Sequence, residues 1–144
     1  MTVIAWDGKS IAADKLVAYG DIERTTEKLV ITGTGVLTFT GESTKGLELI
    51  EWFKNGRKKG DWPEFQKTDD FAVLIFADSD RVEVFYQEST PDVMKGGFHA
   101  WGAGAKYAIG AMAAGKTAEE AVLIANEHCT NCGRGVDSFS LNTE

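Results

Sequence analysis

The chain has little cysteine, little proline and little histidine, with two of each in 144 residues. Two cysteines cannot build the disulfide framework of a small secreted domain. With no charged n-region and apolar h-region at the N-terminus, they point to a reducing, cytoplasmic setting. Pro63 and Pro91 mark no proline-rich linker, and no low-complexity stretch divides the chain, so one domain over residues 1–144 is expected. No run approaches the roughly 18 apolar residues that span a bilayer, so no membrane segment is expected. Basic residues are also in deficit, 15 Lys and Arg against 22 Asp and Glu, for a net charge of -7. A nucleic acid or an anionic membrane would want the opposite balance, and neither is expected as a partner. The cluster Lys54, Arg57, Lys58 and Lys59 reads as the solvated end of a helix.

What is present is a globular pattern, 43% hydrophobic and 26% charged. Thr2 to Trp6 and Ser10 to Ala13 flank Asp7-Gly8, a dipeptide suited to a two-residue hairpin loop. Leu16 to Glu23 reads as one further strand. "KLVIT" and "VLTFT" are joined through Gly33-Thr34-Gly35. Beyond Gly41, Leu47, Ile50, Glu51 and Lys54 repeat at helical spacing, with Ser43 or Thr44 as N-cap. "FAVLIFA" and "VEVFYQE" form a second β-rich pair around Asp78-Ser79-Asp80. "GFHAWGAG" leads into a helix from about Ala103 to Ala114. Thr117-Ala-Glu-Glu120 is a capping box that opens the next helix, and "GVDSFSL" closes the chain as a strand. Hairpins with helices in separate blocks predict an α+β fold, two antiparallel sheets packed together with helices outside.

Thr2 is the first candidate for chemistry. A hydroxyl is a weak nucleophile at neutral pH and needs a base within reach. An N-terminal threonine carries one, because its free α-amine titrates near 8. That requires Met1 to be removed, and the small Thr side chain suits methionine aminopeptidase. Asp14 ends the second strand and Lys28 begins a later one. Paired near the start of the first strand, they would place a lysine whose charge lowers the amine's pKa and steadies the hydroxyl. Gly41, at a strand-to-helix turn, offers a backbone N–H to a developing oxyanion.

"TVIAWDGKSIAADK", "EKLVITGTGVLTFTGEST", "FHAWGAGAKYAIGAMAAGKTAEEAV" and "CGRGVDSFSL", taken in order, resemble the β-type proteasome subunits and HslV, above all short proteasome-like proteins of bacteria and phages. The resemblance implies an N-terminal nucleophile (Ntn) hydrolase fold, a four-layer αββα sandwich. It implies a threonine-type endopeptidase acting on peptides or unfolded proteins. It also implies like subunits in a self-compartmentalising ring, with room for an ATP-dependent unfoldase, and requires no cofactor or metal. By position, Thr2 is similar to the nucleophile, Lys28 to the active-site lysine, Asp14 to its acidic partner and Gly41 to the oxyanion-hole glycine. Phe39 falls at a determinant of the first specificity pocket, where a large aromatic narrows the space.

The chain departs from the family pattern around this set. Gly102-Ala103-Gly104 stands where the family usually has Gly-Ser-Gly, and Ala103 cannot relay a proton. Cys129 and Cys132 fall near the family's buttressing Asp and Ser. Cys132 is a weak substitute for a hydroxyl and Cys129 a poor one for a carboxylate. A catalytically impaired assembly or interaction protein on the same fold is therefore an alternative. A small zinc-binding module of His99, His128, Cys129 and Cys132 is another, although adjacent His128 and Cys129 are awkward joint ligands. A redox Cys-x-x-Cys is expected less than zinc, because no βαβ pattern surrounds it. "GTGVLTFTG" is too short and wrongly placed for a dinucleotide loop, because no helix follows its first glycines. Trp6, Trp52, Trp62 and Trp101 lie in different elements and read as core.

Overall fold

The structure, a computed structural model, describes residues 2–65 and 71–141; Met1, 66–70 and 142–144 lie outside the described residues. Strands β1 (Val3–Trp6) and β2 (Ser10–Asp14) form a hairpin, followed by the small pair β3 (Leu16–Tyr19) and β4 (Ile22–Thr25). Then come β5 (Val30–Ile31), β6 (Val36–Gly41) and helix α1 (Ser43–Lys54). A 3-10 turn at Lys59–Asp61 precedes β7 (Ala72–Asp78), β8 (Arg81–Phe85) and β9 (Asp92–Lys95). The chain finishes with β10 (His99–Gly102), α2 (Ala105–Ala113), α3 (Ala118–His128) and β11 (Val136–Ser140).

Strand alternation sorts these elements into layers. One sheet runs β10-β1-β2-β11 and the other β5-β6-β7-β8-β9, with every pairing antiparallel. Ile4, Trp6, Ile11, Ala13 and Trp101 face Val36, Val73, Ile75, Val82 and Val84 across the gap between the sheets. The opposite face of the first sheet, Val3, Ala5, Ala12 and Ala100, packs under α2 and α3. Small residues there, with Ala108, Ala121 and Ala125 on the helices, let the α-layer sit close. Leu37, Leu74, Phe76 and Phe85 of the second sheet bury against Leu49, Ile50 and Trp52 of α1. The order is thus α2α3, sheet, sheet, α1: the αββα sandwich anticipated from the resemblance. Each fully buried aliphatic in these layers contributes roughly 1.5–3 kcal/mol.

Asp7 ties two layers together. Its Oδ1 accepts from the amides of Lys9 (2.9 Å) and Ser10 (2.7 Å), and its Oδ2 accepts from Ala118 N (2.9 Å) at the start of α3. Burial alone would raise the Asp7 carboxyl, but these amides outweigh it and hold it below the ordinary 3.8.

Several local expectations change. The β1–β2 loop has three residues instead of two, because Asp7 folds back on the amides that follow it. The single strand expected over Leu16 to Glu23 is a hairpin turning at Gly20-Asp21; exposed on both faces along β4, it carries little hydrophobic alternation. Helix α1 is capped by Glu42, whose side chain accepts from Lys45 N, instead of by Ser43 or Thr44. Only Val30–Ile31 of "KLVIT" joins the ladder, and edge strand β9 was not anticipated. The capping box at Thr117 and Glu120 is formed as expected.

Candidate active site

Because β1 and β2 pair with Ile4 opposite Ala13, the next residues along, Val3 and Asp14, fall side by side at the end of the hairpin. Asp14 is completely buried. Its Oδ1 accepts from Thr2 Oγ1 (2.8 Å), Val3 N (3.1 Å) and Lys28 Nζ (2.7 Å). Its Oδ2 accepts from Gly133 N (3.1 Å) and Leu16 N (3.4 Å). Lys28 Nζ also donates to Thr2 Oγ1 at 2.8 Å. The Thr2 hydroxyl therefore gives its proton toward a carboxylate while receiving one from an ammonium.

Lys28 reaches this point from the segment just before β5. Its carbonyl accepts from the buried Thr38 hydroxyl of β6 at 2.6 Å, which fixes the backbone from which the side chain extends. The Lys28 side chain is 11% exposed. Burial pushes its ammonium below the ordinary 10.5, and the hydrogen bond and charge of Asp14, with a smaller contribution from Cys132, offset part of that.

Glycine lets the backbone close around Thr2. Gly102 has φ of 98°, and a Cβ there would run into the Thr2 carbonyl. Two residues on, Gly104 N donates to Thr2 O at 3.2 Å. Gly41, with φ of 106°, presses against the Phe71 carbonyl, where no side chain would fit. Two clefts meet at Thr2, Thr40 and Gly41. One, of about 410 Å³, is walled mainly by Phe71, Val73, Tyr86, Trp101 and Ala103. The other, of about 620 Å³, has Lys28, Phe39 and Glu42 among its walls. The Phe39 ring packs against Gly46 of α1, in space that any side chain at 46 would fill.

Thr2, Asp14 and Lys28 are thus brought together, Gly41 and Phe39 line the adjoining clefts, and Ala103 offers only a methyl there. Cys132 is buried against Gly104, close enough to Asp14 and Lys28 to feel both charges. Its thiol is pushed up to about 12, chiefly by burial, then by its bond to Cys129 and the charge of Asp14. The zinc set does not assemble. Among the described residues no group of three or more His, Cys, Asp or Glu could hold a metal ion. His99 packs on Trp101 and His128 stacks on Tyr107 instead. Sequence reasoning missed the backbone donors Val3, Leu16, Gly104 and Gly133, because an amide carries no residue signature. The doublets Gly102-x-Gly104 and Gly133-x-Gly135 were the available signal.

No family model and no curated protein matches the chain. Solved structures do. BPH of Thiobacillus denitrificans in complex with epoxomicin is 23% identical, with a TM-score of 0.75 over 100% of both chains. A second structure of that BPH gives 22% and 0.71 over 99% of both chains. HslV from Trypanosoma brucei gives 21% and 0.72 over 99% of both. Across its whole described length, the chain has the fold of HslV-like, proteasome-type subunits.

Proposed function

We propose that the protein is a threonine-type peptidase subunit that hydrolyses peptide bonds through Thr2 once Met1 has been removed. The observation that carries this reading is the Thr2 hydroxyl held at 2.8 Å from both Asp14 Oδ1 and Lys28 Nζ where two clefts meet. Thr2 Oγ1 attacks the scissile carbonyl, and the freed α-amine takes the hydroxyl proton and later delivers it to the leaving amine. Charged Lys28 lowers the amine's proton affinity and stabilises the developing alkoxide. Asp14 holds Lys28 in place. Gly41 N–H is assigned to the oxyanion of the tetrahedral intermediate. Phe39 is assigned to the wall that meets the side chain of the acyl residue.

The fold supports a further part of the reading. Like subunits would close into a ring around an inner chamber, fed with unfolded chains by an ATP-dependent unfoldase in the cytoplasm. Among the described residues no helix is long and apolar enough to cross a membrane.

The test is direct. Protein from the native host should have the mass of the chain without Met1. A peptidyl epoxyketone, which closes a ring on both the amine and the hydroxyl of an N-terminal threonine, should add one equivalent at Thr2. A retained Met1 or an unlabelled Thr2 would overturn the peptidase reading. The assembly-protein reading, which Ala103 and Cys129 favour by removing polar groups from around the nucleophile, would then replace it.

A further inference from the structure

The Cys-x-x-Cys after α3 has no part in the proposed reaction, yet it touches the site on two sides. Cys129 and Cys132 are free thiols with their sulfurs 3.2 Å apart. Cys132 N already donates to Cys129 O at 3.3 Å, so the turn that brings the two together is closed. A disulfide needs sulfurs about 2.0 Å apart, which leaves roughly 1.2 Å to close. The next residue, Gly133, gives its N–H to Asp14 Oδ2 at 3.1 Å, and its carbonyl accepts from Lys15 N at 3.0 Å. On its other side Cys132 Sγ lies against Gly104; a Cβ on Gly104 would sit 3.0 Å from the sulfur. Gly104 N in turn holds the Thr2 carbonyl.

We infer that Cys129 and Cys132 form a reversible intramolecular disulfide site, and that its closure draws Gly133 away from Asp14 and slows chemistry at Thr2. The last clause rests on the peptidase reading. Cys129 is half-buried and Cys132 is buried, so an oxidant meets Cys129 first. A small-molecule disulfide of the glutathione class supplies the oxidising equivalents. The Cys129 thiolate attacks one of its sulfurs, that S–S bond breaks, and one thiol leaves. Cys132 then loses its proton and attacks the Cys129 sulfur, and the second thiol leaves. Two protein thiols are oxidised and one small disulfide is reduced to two thiols. The high proton affinity of the Cys132 thiol makes it the resolving partner and keeps closure slow near neutral pH.

The experiment is a titration of the full chain in glutathione buffers, followed by denaturing alkylation and intact-mass analysis. Loss of two hydrogens and of both alkylation sites, reversed by dithiothreitol, is expected. A lasting glutathione adduct, or two thiols still alkylated under oxidising conditions, would overturn the disulfide. Cys132→Ser should trap the mixed disulfide on Cys129, and its absence would overturn the order of attack. Amide exchange at Gly133 should quicken by about tenfold on oxidation as its bond to Asp14 is lost. Unchanged exchange would overturn the coupling to Asp14. Epoxyketone labelling of Thr2 should slow by about tenfold in the oxidised protein, and an equal rate would overturn the control of chemistry. If neither form is labelled, the peptidase reading fails, and mass and exchange still decide the disulfide and its coupling.

Discussion

Among the described residues two buried carboxylates meet a cation, and they do so in different ways. Glu83 of β8 faces the α1 layer, where Arg57 approaches with both arms, Nη1 at 3.1 Å from Oε1 and Nη2 at 3.0 Å from Oε2. The Arg57 side chain is 35% exposed, its guanidinium lies over the Phe53 and Phe85 rings, and Arg81 adds a contact at 3.6 Å. Fork meets fork, and the pair is geometrically complete. At Asp14 the cation is a lysine almost wholly out of water, and backbone amides share both carboxylate oxygens. The ammonium retains a hydrogen bond for a hydroxyl, and that hydroxyl faces open clefts. A lysine whose proton affinity burial has lowered is a tunable group, whereas an arginine stays charged throughout. Equal burial of the acid therefore says little about role. What the cation has left to give, and to what, says more.

The widest separation between the two pairs should appear in the chemistry. Lys28→Ala should cut the rate of epoxyketone labelling at Thr2 by about a thousandfold, within the range for loss of an acid–base or electrostatic partner. Arg57→Ala should leave that rate within about twofold. Equal losses would erase the distinction. Stability comes next. Asp14→Asn strands a buried ammonium and should lower unfolding free energy by about 3–5 kcal/mol in urea titrations. Glu83→Gln, whose arginine can rehydrate, should cost about 1.5 kcal/mol. The smallest effect is one of pH. In the proposed reaction the active ion is charged Lys28, and its pKa is lowered, so protonated lysine is lost as pH rises through a value below 10.5. Thr2 labelling should therefore fall on the alkaline side with a midpoint under 10.5, while Arg57→Lys should leave that midpoint unmoved.

Much of the architecture was legible because it is written in alternation. Ile4 and Trp6 face one way and Val3 and Ala5 the other, as a strand buried on both faces requires. Helices announced themselves through the Thr117 capping box and the spacing of α1. The β3–β4 hairpin escaped because its return strand is exposed along its whole length and has no apolar face to reveal it. Asp7-Gly8 was read as a turn by dipeptide, but the Asp7 carboxylate has a second duty at α3, more than a hundred residues away. The side chains Thr2, Asp14 and Lys28 could be nominated from residue type, order and resemblance. The amides of Val3, Gly104 and Gly133 that hold them could not, since only folding decides which N–H groups converge. The zinc set failed for the reciprocal reason: suitable ligand types were present, but the fold keeps only the two cysteines together and packs His99 on Trp101 and His128 on Tyr107.

Helix α3 and the turn that follows it are fastened at two points to one hairpin. Asp7 receives the amide that opens the helix, and Asp14 receives the amide of Gly133, at the far side of the turn that follows His128. These aspartates stand seven positions apart on a single hairpin, so the helix and its short tail act as a gauge block fitted between two stops. A residue added within α3 would lengthen it by about 1.5 Å and rotate its end by roughly a quarter turn. Both stops could not then be met. The length of a helix that lends no side chain to the Thr2 cluster is, in that sense, a machined dimension of the Asp14 carboxylate.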